Sequence, residues 1–209
     1  MHAFYILLLI LKFFKKISYK ASTIFWGNYA LAYCNMRNVK FGGSHVNFIG
    51  HAKLFIDHMA KVEIGDNFIC ASGIDNGIDN NVYSKIYVAS NAHLKIGFQS
   101  GITNTVIHCH EHIEIGSYVN IGAGCIIFDT NFHSTNWEQR QDRCCDTRNA
   151  LKERVIIEDY VFIGTRSIIT KGVTIGEHSI VAAGSVVVKS IPANEIWGGN
   201  PAKFIKKID

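Results

Sequence analysis

Proline is almost absent from this chain of 209 residues: there are two, Pro192 and Pro201, both near the C-terminus. That excludes collagen-like and proline-rich architectures. Charge is sparse as well. Charged residues make up 18% of the chain, 21 basic against 17 acidic, for a net charge of +4. This is not the concentrated basic stripe of a duplex nucleic-acid binder, so no nucleic-acid partner is expected. With 48% hydrophobic residues the chain is also not a disordered or solvating one. The six cysteines contain no C-x-x-C pair, which removes support from zinc-ribbon and thioredoxin-like readings. There is no N-x-S/T sequon, and the chain is too long and too apolar for a disulfide scaffold, so reduced thiols in a cytoplasmic protein are expected.

Long hydrophobic runs are missing too. The longest at the N-terminus, residues 3–11 (AFYILLLIL), falls short of the ~20 apolar residues a membrane span requires. Lys12, Lys15 and Lys16 follow the run, whereas a secretory signal carries its positive charge before it. Two readings stand. A short helix docks its apolar surface on the domain or on a partner subunit. Alternatively it lies in a membrane interface with Lys12, Lys15, Lys16 and Lys20 near anionic headgroups, a peripheral contact through residues 3–16 at the inner face of the membrane.

Against these absences stand 18 glycines and a repeat. Isoleucine precedes glycine seven times, at residues 49, 64, 96, 115, 121, 163 and 175. Ile157, Ile163, Ile169, Ile175, Val181 and Val187 then follow one another at a period of six, each with a small or β-branched residue such as Val161, Ser167, Val173, Ser179 or Ser185 four positions later. Six is neither the helical period of 3.6 nor the strand period of 2. It marks a parallel β-helix in which each hexapeptide supplies one strand and one turn, three make a coil, and stacked coils bury a ladder of aliphatics. Glycine is expected at the corners, for bends that need its φ/ψ freedom. The step from Ile64 to Ile96 is two residues more than five hexads, and residues 75–81 (DNGIDNN) read as a turn-rich insertion. After Ile127 the pattern stops until Val155, so residues 129–154 form a long polar loop leaving a rigid solenoid, the usual place for function. The expected organisation is an N-terminal helical or basal segment over 1–40, a β-helix over 41–192 with its extruded loop at 129–154, and a C-terminal tail over 193–209.

Three stretches carry a resemblance: DTNFHS at 129–134, the repeat run at 155–194, and GGNPAKFIKKI at 198–208. Together they resemble the hexapeptide-repeat acyltransferases, and within them the galactoside and maltose O-acetyltransferase branch with its capsule and lipopolysaccharide relatives. The resemblance implies an all-β fold, a left-handed parallel β-helix with a short N-terminal helix, assembled as a homotrimer. It implies acetyl-CoA as co-substrate, a carbohydrate acceptor, and His133 as general base. A neutral imidazole suits the removal of a hydroxyl proton near neutral pH. Asp129, Glu138 or a main-chain carbonyl would orient it, with Asp129 carried as a catalytic residue. Main-chain groups around Gly164, Thr165, Ala182 and Ala183 would hold the pantetheine arm, and Lys189 and Lys203 the phosphates. Trp137 and Trp197 would cover adenine or acceptor, or simply pack.

The segment HCHEH puts His108, His110 and His112 at period two, on one face of a strand. By the resemblance His110 falls where the galactoside and maltose enzymes carry an aspartate that contacts the acceptor, which places it in the acceptor pocket. No histidine pair has the spacing of a γ-carbonic anhydrase zinc site, and no metal is expected. The reading is an O-acetyltransferase acting on a sugar hydroxyl of a capsule, lipopolysaccharide or exopolysaccharide precursor. An N-acyltransferase on an amino sugar, a γ-carbonic anhydrase-like metal enzyme and a non-catalytic scaffold are the alternatives.

Overall fold

The computed structural model describes residues 2–73 and 83–208; the side chains of residues 2–13 and 15 are outside that description, as is the 75–81 insertion. The chain winds round three parallel sheets in turn. The first sheet stacks Lys40–Phe41, Lys61–Ile64, His93–Ile96, His112–Ile115, Val155–Ile157 and Thr174–Ile175. The second stacks Asn47–Ile49, Ile69–Ala71, Gly101–Thr103, Asn120–Ile121, Phe162–Ile163 and Ile180–Val181, and ends in Glu195–Gly198 and the antiparallel strand Lys203–Lys207. The third stacks Lys53–Ile56, Lys85–Val88, Val106–Cys109, Ile126–Phe128, Ile168–Ile169 and Val186–Val187.

The six-residue period is therefore one face per hexad. Ile64, Ile96, Ile115, Ile157 and Ile175 lie in register on the first sheet, and all are buried. Phe48, Cys70, Ile102, Ile121, Ile163 and Val181 do the same on the second, and Ile86, Ile107, Ile127, Ile169 and Val187 on the third, where half-buried Leu54 begins the row. No single coil could bury its own aliphatics, so the ladders are what make the stack cohere. The small residues four positions on are also buried. Ser167 Oγ donates to the carbonyls of Gly164 and Ala182, and Ser185 Oγ to that of Ala182, so the hydroxyls stitch one coil to the next.

Most of the glycines that follow isoleucine act differently from expectation. Of the seven that follow isoleucine, only Gly50 has a positive φ. The others are needed because the next coil passes too close: a Cβ on Gly65 would lie 2.5 Å from the carbonyl carbon of Gly97, and one on Gly97 at the same distance from that of Gly116. The left-handed backbone is taken at other turn positions, by Gly124, Gly172 and Gly184 as expected and by Asn67, Gln99, Tyr118, Tyr160, His178 and Asn194. Their side chains lie outside the prism, and Tyr118 and Tyr160 stack at 4.8 Å.

The N-terminal helix is longer than the short one expected. Helix α1 runs from His2 to Met36, 35 residues, because nothing in the segment breaks it before Asn38, whose φ of 55° ends it. Its C-terminal half closes the open end of the prism. Gly27, Ala30 and Cys34 are buried there, and a Cβ on Gly27 would meet the Phe48 carbonyl oxygen at 2.6 Å. The Ile56 N–H, on the edge strand of the third sheet, donates to the Tyr33 hydroxyl. Burial pushes the Cys34 thiol up to about 12, as expected of a core residue. Among the described residues, no helix is long and apolar enough to cross a membrane.

Candidate active site

The long loop leaves the corner between the third and first sheets on a short antiparallel stem. Thr130 pairs with Lys152, the Asn131 N–H donates to the Leu151 carbonyl and the Glu153 N–H to the Asp129 carbonyl. Beyond the stem the loop organises itself round one carboxylate. Asp142 caps helix α2, Arg143–Arg148, by accepting from the Cys145 N–H. One turn on, α2 presents Asp146. Its Oδ2 lies 2.6 Å from His133 Nδ1, and its Oδ1 accepts the Ser134 N–H at 2.7 Å. Those two hydrogen bonds, the histidine's first, hold the Asp146 carboxyl below the usual carboxylate range. Ser134 is pinned further by Gln139, which accepts from its hydroxyl, and by Arg140, which donates to its carbonyl.

A carboxylate on Nδ1 fixes the tautomer: Nδ1 carries the proton and Nε2 keeps its lone pair. The His133 side chain is 69% exposed, so that lone pair is reachable. Phe132, immediately before it, sits at φ 62°, a strained conformation for an aromatic residue of the kind that persists at functional sites.

Asp129 does not orient His133, and that part of the expectation is corrected. The Asp129 side chain is fully buried and accepts three consecutive backbone N–H groups, from His110 at 2.7 Å and from Glu111 and His112 at 2.8 Å each. With both oxygens engaged it shapes the corner that carries His110. The missed residue is Asp146. The only sequence signal for it was a capped turn of helix inside the loop; its approach to His133 depends on the loop's path.

The three histidines of HCHEH also separate. His108 and His110 stay together, 5.9 Å between ring centroids, but the chain turns after Cys109 and His112 lies on the first sheet beside His93. Tyr87 stacks on both His108 and His110, at 5.0 and 5.1 Å, and Phe132 meets both edge-on. His133 therefore follows directly on a residue that closes an aromatic and imidazole platform. Burial pushes His108 and His110 below the ordinary histidine range, with Lys85 adding to the effect on His108 and Lys152 on His110. Both are neutral near pH 7, and His108 Nδ1 and His110 Nε2 are buried without a hydrogen-bond partner among the described residues. Trp137 stands 63% exposed in the loop, and Trp197 instead packs in register on Val181, its indole N–H donating to Glu195. Among the described residues no group of three His, Cys, Asp or Glu side chains is placed to hold a metal ion.

Gly164, Thr165, Ala182 and Ala183 come together at another corner, between the second and third sheets. A Cβ on Gly164 would meet the Ala183 amide nitrogen at 2.5 Å. The Gly164 and Ala182 N–H groups are spent on the Val181 and Trp197 carbonyls, whereas those of Thr165 and Ala183 have no backbone partner among the described residues. Lys203 joins this corner: it pairs with Gly198, which abuts Ala182. Lys189 does not; it follows Val187 on the third sheet and lies at the corner from which, lower down, the loop departs.

Comparison with known proteins bears on these positions. The model of one family, the hexapeptide repeat of succinyl-transferase, matches residues 154–189. A 2,3,4,5-tetrahydropyridine-2,6-dicarboxylate N-acetyltransferase of Clostridium perfringens is 53% identical over 58 residues, 28% of this chain and 25% of that protein. The chain thus spans about a quarter of the length of such curated relatives. Among solved structures, a hexapeptide-repeat-containing acetyltransferase of Vibrio cholerae O1 biovar eltor, complexed with acetyl coenzyme A, superposes with a TM-score of 0.54 at 27% identity, over 68% of this chain and 72% of that one. A galactoside acetyltransferase in complex with coenzyme A gives 0.52 at 26% identity, over 68% and 66%. What this chain shares with them is the left-handed parallel β-helix of hexapeptide repeats.

Proposed function

We propose that this protein is an acetyl-CoA-dependent O-acetyltransferase of the hexapeptide-repeat class, acting on a sugar hydroxyl of a capsule, lipopolysaccharide or exopolysaccharide precursor, with His133 as general base. The observation that carries this is the His133–Asp146 pair on a loop extruded from a hexapeptide β-helix. The similarity to acetyltransferases seen with acetyl coenzyme A or coenzyme A supports the donor.

In this reading Nε2 of His133 takes the acceptor's hydroxyl proton as its oxygen attacks the thioester carbonyl, and returns it to the departing thiolate. Asp146 steadies the imidazolium formed in between. A backbone N–H of a facing coil receives the oxyanion. Tyr87, Phe132 and the neutral His108 and His110 offer ring faces to a sugar.

The pantetheine arm would use the Thr165 and Ala183 amides, with Lys203 near the phosphates. That corner and the loop lie at opposite edges of the third sheet, so one chain does not bring them together. A neighbouring subunit would. The outer faces of the second and third sheets expose Ile49, Ile69, Phe162, Phe55 and Val188, whereas the first carries the ion pairs Lys61–Glu63 and Lys95–Glu114. A homotrimer packed on the two apolar faces, leaving the charged one in water, accounts for both facts.

The test is thiol release from acetyl-CoA against a panel of sugars and amino sugars, with the product treated with hydroxylamine. An O-acetyl ester is cleaved and an amide is not. Ester formation is expected; turnover only with amines would favour the N-acylating alternative, which the similarity to an N-acetyltransferase keeps open. Asp146 is a positioning residue and has its own signature. Asp146→Asn should lower kcat by about 10²-fold through loss of the productive tautomer while KM for acetyl-CoA stays put. A variant that raised KM or lost thermal stability in proportion would mark Asp146 as merely structural.

A further inference from the structure

Helix α1 has two unlike faces, and only one of them is used by the fold. Thr23, Gly27, Ala30 and Cys34, spaced four, three and four, form the stripe that lies against the end of the β-helix. Followed toward the N-terminus, the same stripe continues through Lys20 and Lys16, both exposed, and in the sequence through Lys12. At 100° per residue the opposite side carries Ala21, Phe25 and Met36, with Ile17 and Ile24 on its flank and Ser18 and Asn28 among them. Ile24, Phe25 and Met36 are 64%, 62% and 80% exposed, although each is a residue that a water-facing helix surface would not choose. Over residues 16–36, about 30 Å of helix, α1 is thus basic or docked along one side and exposes Ile17, Ile24, Phe25 and Met36 away from it.

We infer that the outward face of α1 is a docking surface for an anionic lipid bilayer, with the helix lying in the plane of the interface and the β-helix standing on it. The charge pattern selects this occupant. An interfacial helix carries its lysines on the face away from the acyl chains, where their long stems reach the headgroup phosphates, and its Ile and Phe residues on the other. A second protein copy packing on Ile24 and Phe25 would leave the row of lysines without acidic partners: α1 carries no acidic residue. Among the described residues no helix is long and apolar enough to cross the bilayer, and the contact inferred is interfacial. Expected membrane contact through residues 3–16 falls largely on side chains outside the described residues; the surface inferred here rests on residues 16–36. It is separate from the loop chemistry, and stands or falls independently of it.

The experiment uses the full-length protein and sedimentation with vesicles of phosphatidylcholine alone or with phosphatidylglycerol added. Association with the anionic vesicles is expected, weakening by at least tenfold at high salt and on neutral vesicles. Ile24→Glu with Phe25→Glu should abolish it. Lys16→Glu with Lys20→Glu should weaken it by about tenfold or more without disturbing the apolar face. Circular dichroism and solution mass are measured on both variants, and neither should change. Equal partition of wild type and the Ile24/Phe25 variant, or no partition of wild type into anionic vesicles, would overturn the inference. So would loss of oligomeric mass in the Ile24/Phe25 variant, which would make the face a subunit contact.

Discussion

His133→Ala is expected to reduce turnover of acetyl-CoA with a sugar acceptor by about 10³-fold, measured at saturating acetyl-CoA. A positioned general base contributes roughly 10²–10⁴-fold, and nothing else on the loop is placed to replace it. Asp146 would lose its ring partner but keep the Ser134 N–H, and the imidazole removed is largely solvent-exposed, so the melting temperature should stay near that of the wild type. Binding of acetyl-CoA, followed by the same variant's protection against thermal unfolding, should also persist, because the corner proposed for the pantetheine arm is built elsewhere. A His133→Ala enzyme that keeps more than a tenth of its activity would sink the assignment.

The second large effect belongs to Asp129, and it is of the opposite kind. Asp129→Ala removes a buried carboxylate that accepts three N–H groups and leaves those donors of His110, Glu111 and His112 unpaired. Unsatisfied groups of this sort cost about 1–3 kcal/mol each, so a loss of at least about 3 kcal/mol is expected. For a chain of this size that lowers the melting temperature by roughly 6–12 °C. Activity should fall too, through disorder of the His110 corner. Wild-type stability combined with lost activity would instead place Asp129 in the chemistry.

The contrast between these two aspartates shows what could be read in advance. The aliphatic ladders were legible, because a parallel β-helix repeats the same local environment and writes it into the sequence every six residues: Ile157, Ile163 and Ile169 each need the same pocket. That His133 would stand on the extruded loop was legible from DTNFHS and the resemblance it carries. Asp146 was not, since a self-organised loop has no period, and only the capped turn at Asp142 hints at where its helix points. Nor was the parting of His112 from His110 legible, because an alternation of three residues looks the same whether the strand continues or turns a corner. The glycines were located correctly at corners, and Gly124, Gly172 and Gly184 have the positive φ expected there, but the crowding by the neighbouring coil at Gly97 is a property of the stack that a period does not reveal.

Helix α1 closes one end of the solenoid, and the antiparallel strand Lys203–Lys207 borders the second sheet at the other. The stack between them can lengthen or shorten only by whole coils. The loop leaves the third sheet at its fourth rung, after Lys53–Ile56, Lys85–Val88, Val106–Cys109 and Ile126–Phe128. Three inter-strand steps of about 4.8 Å put its root about 14 Å above the first coil. With α1 on a bilayer, the number of coils below the loop works as a ruler. Under the proposed function it would set how far along a lipid-borne glycan, counted from its anchor, a hydroxyl must lie to meet His133, and adding or deleting one coil would move that reach by about one strand spacing.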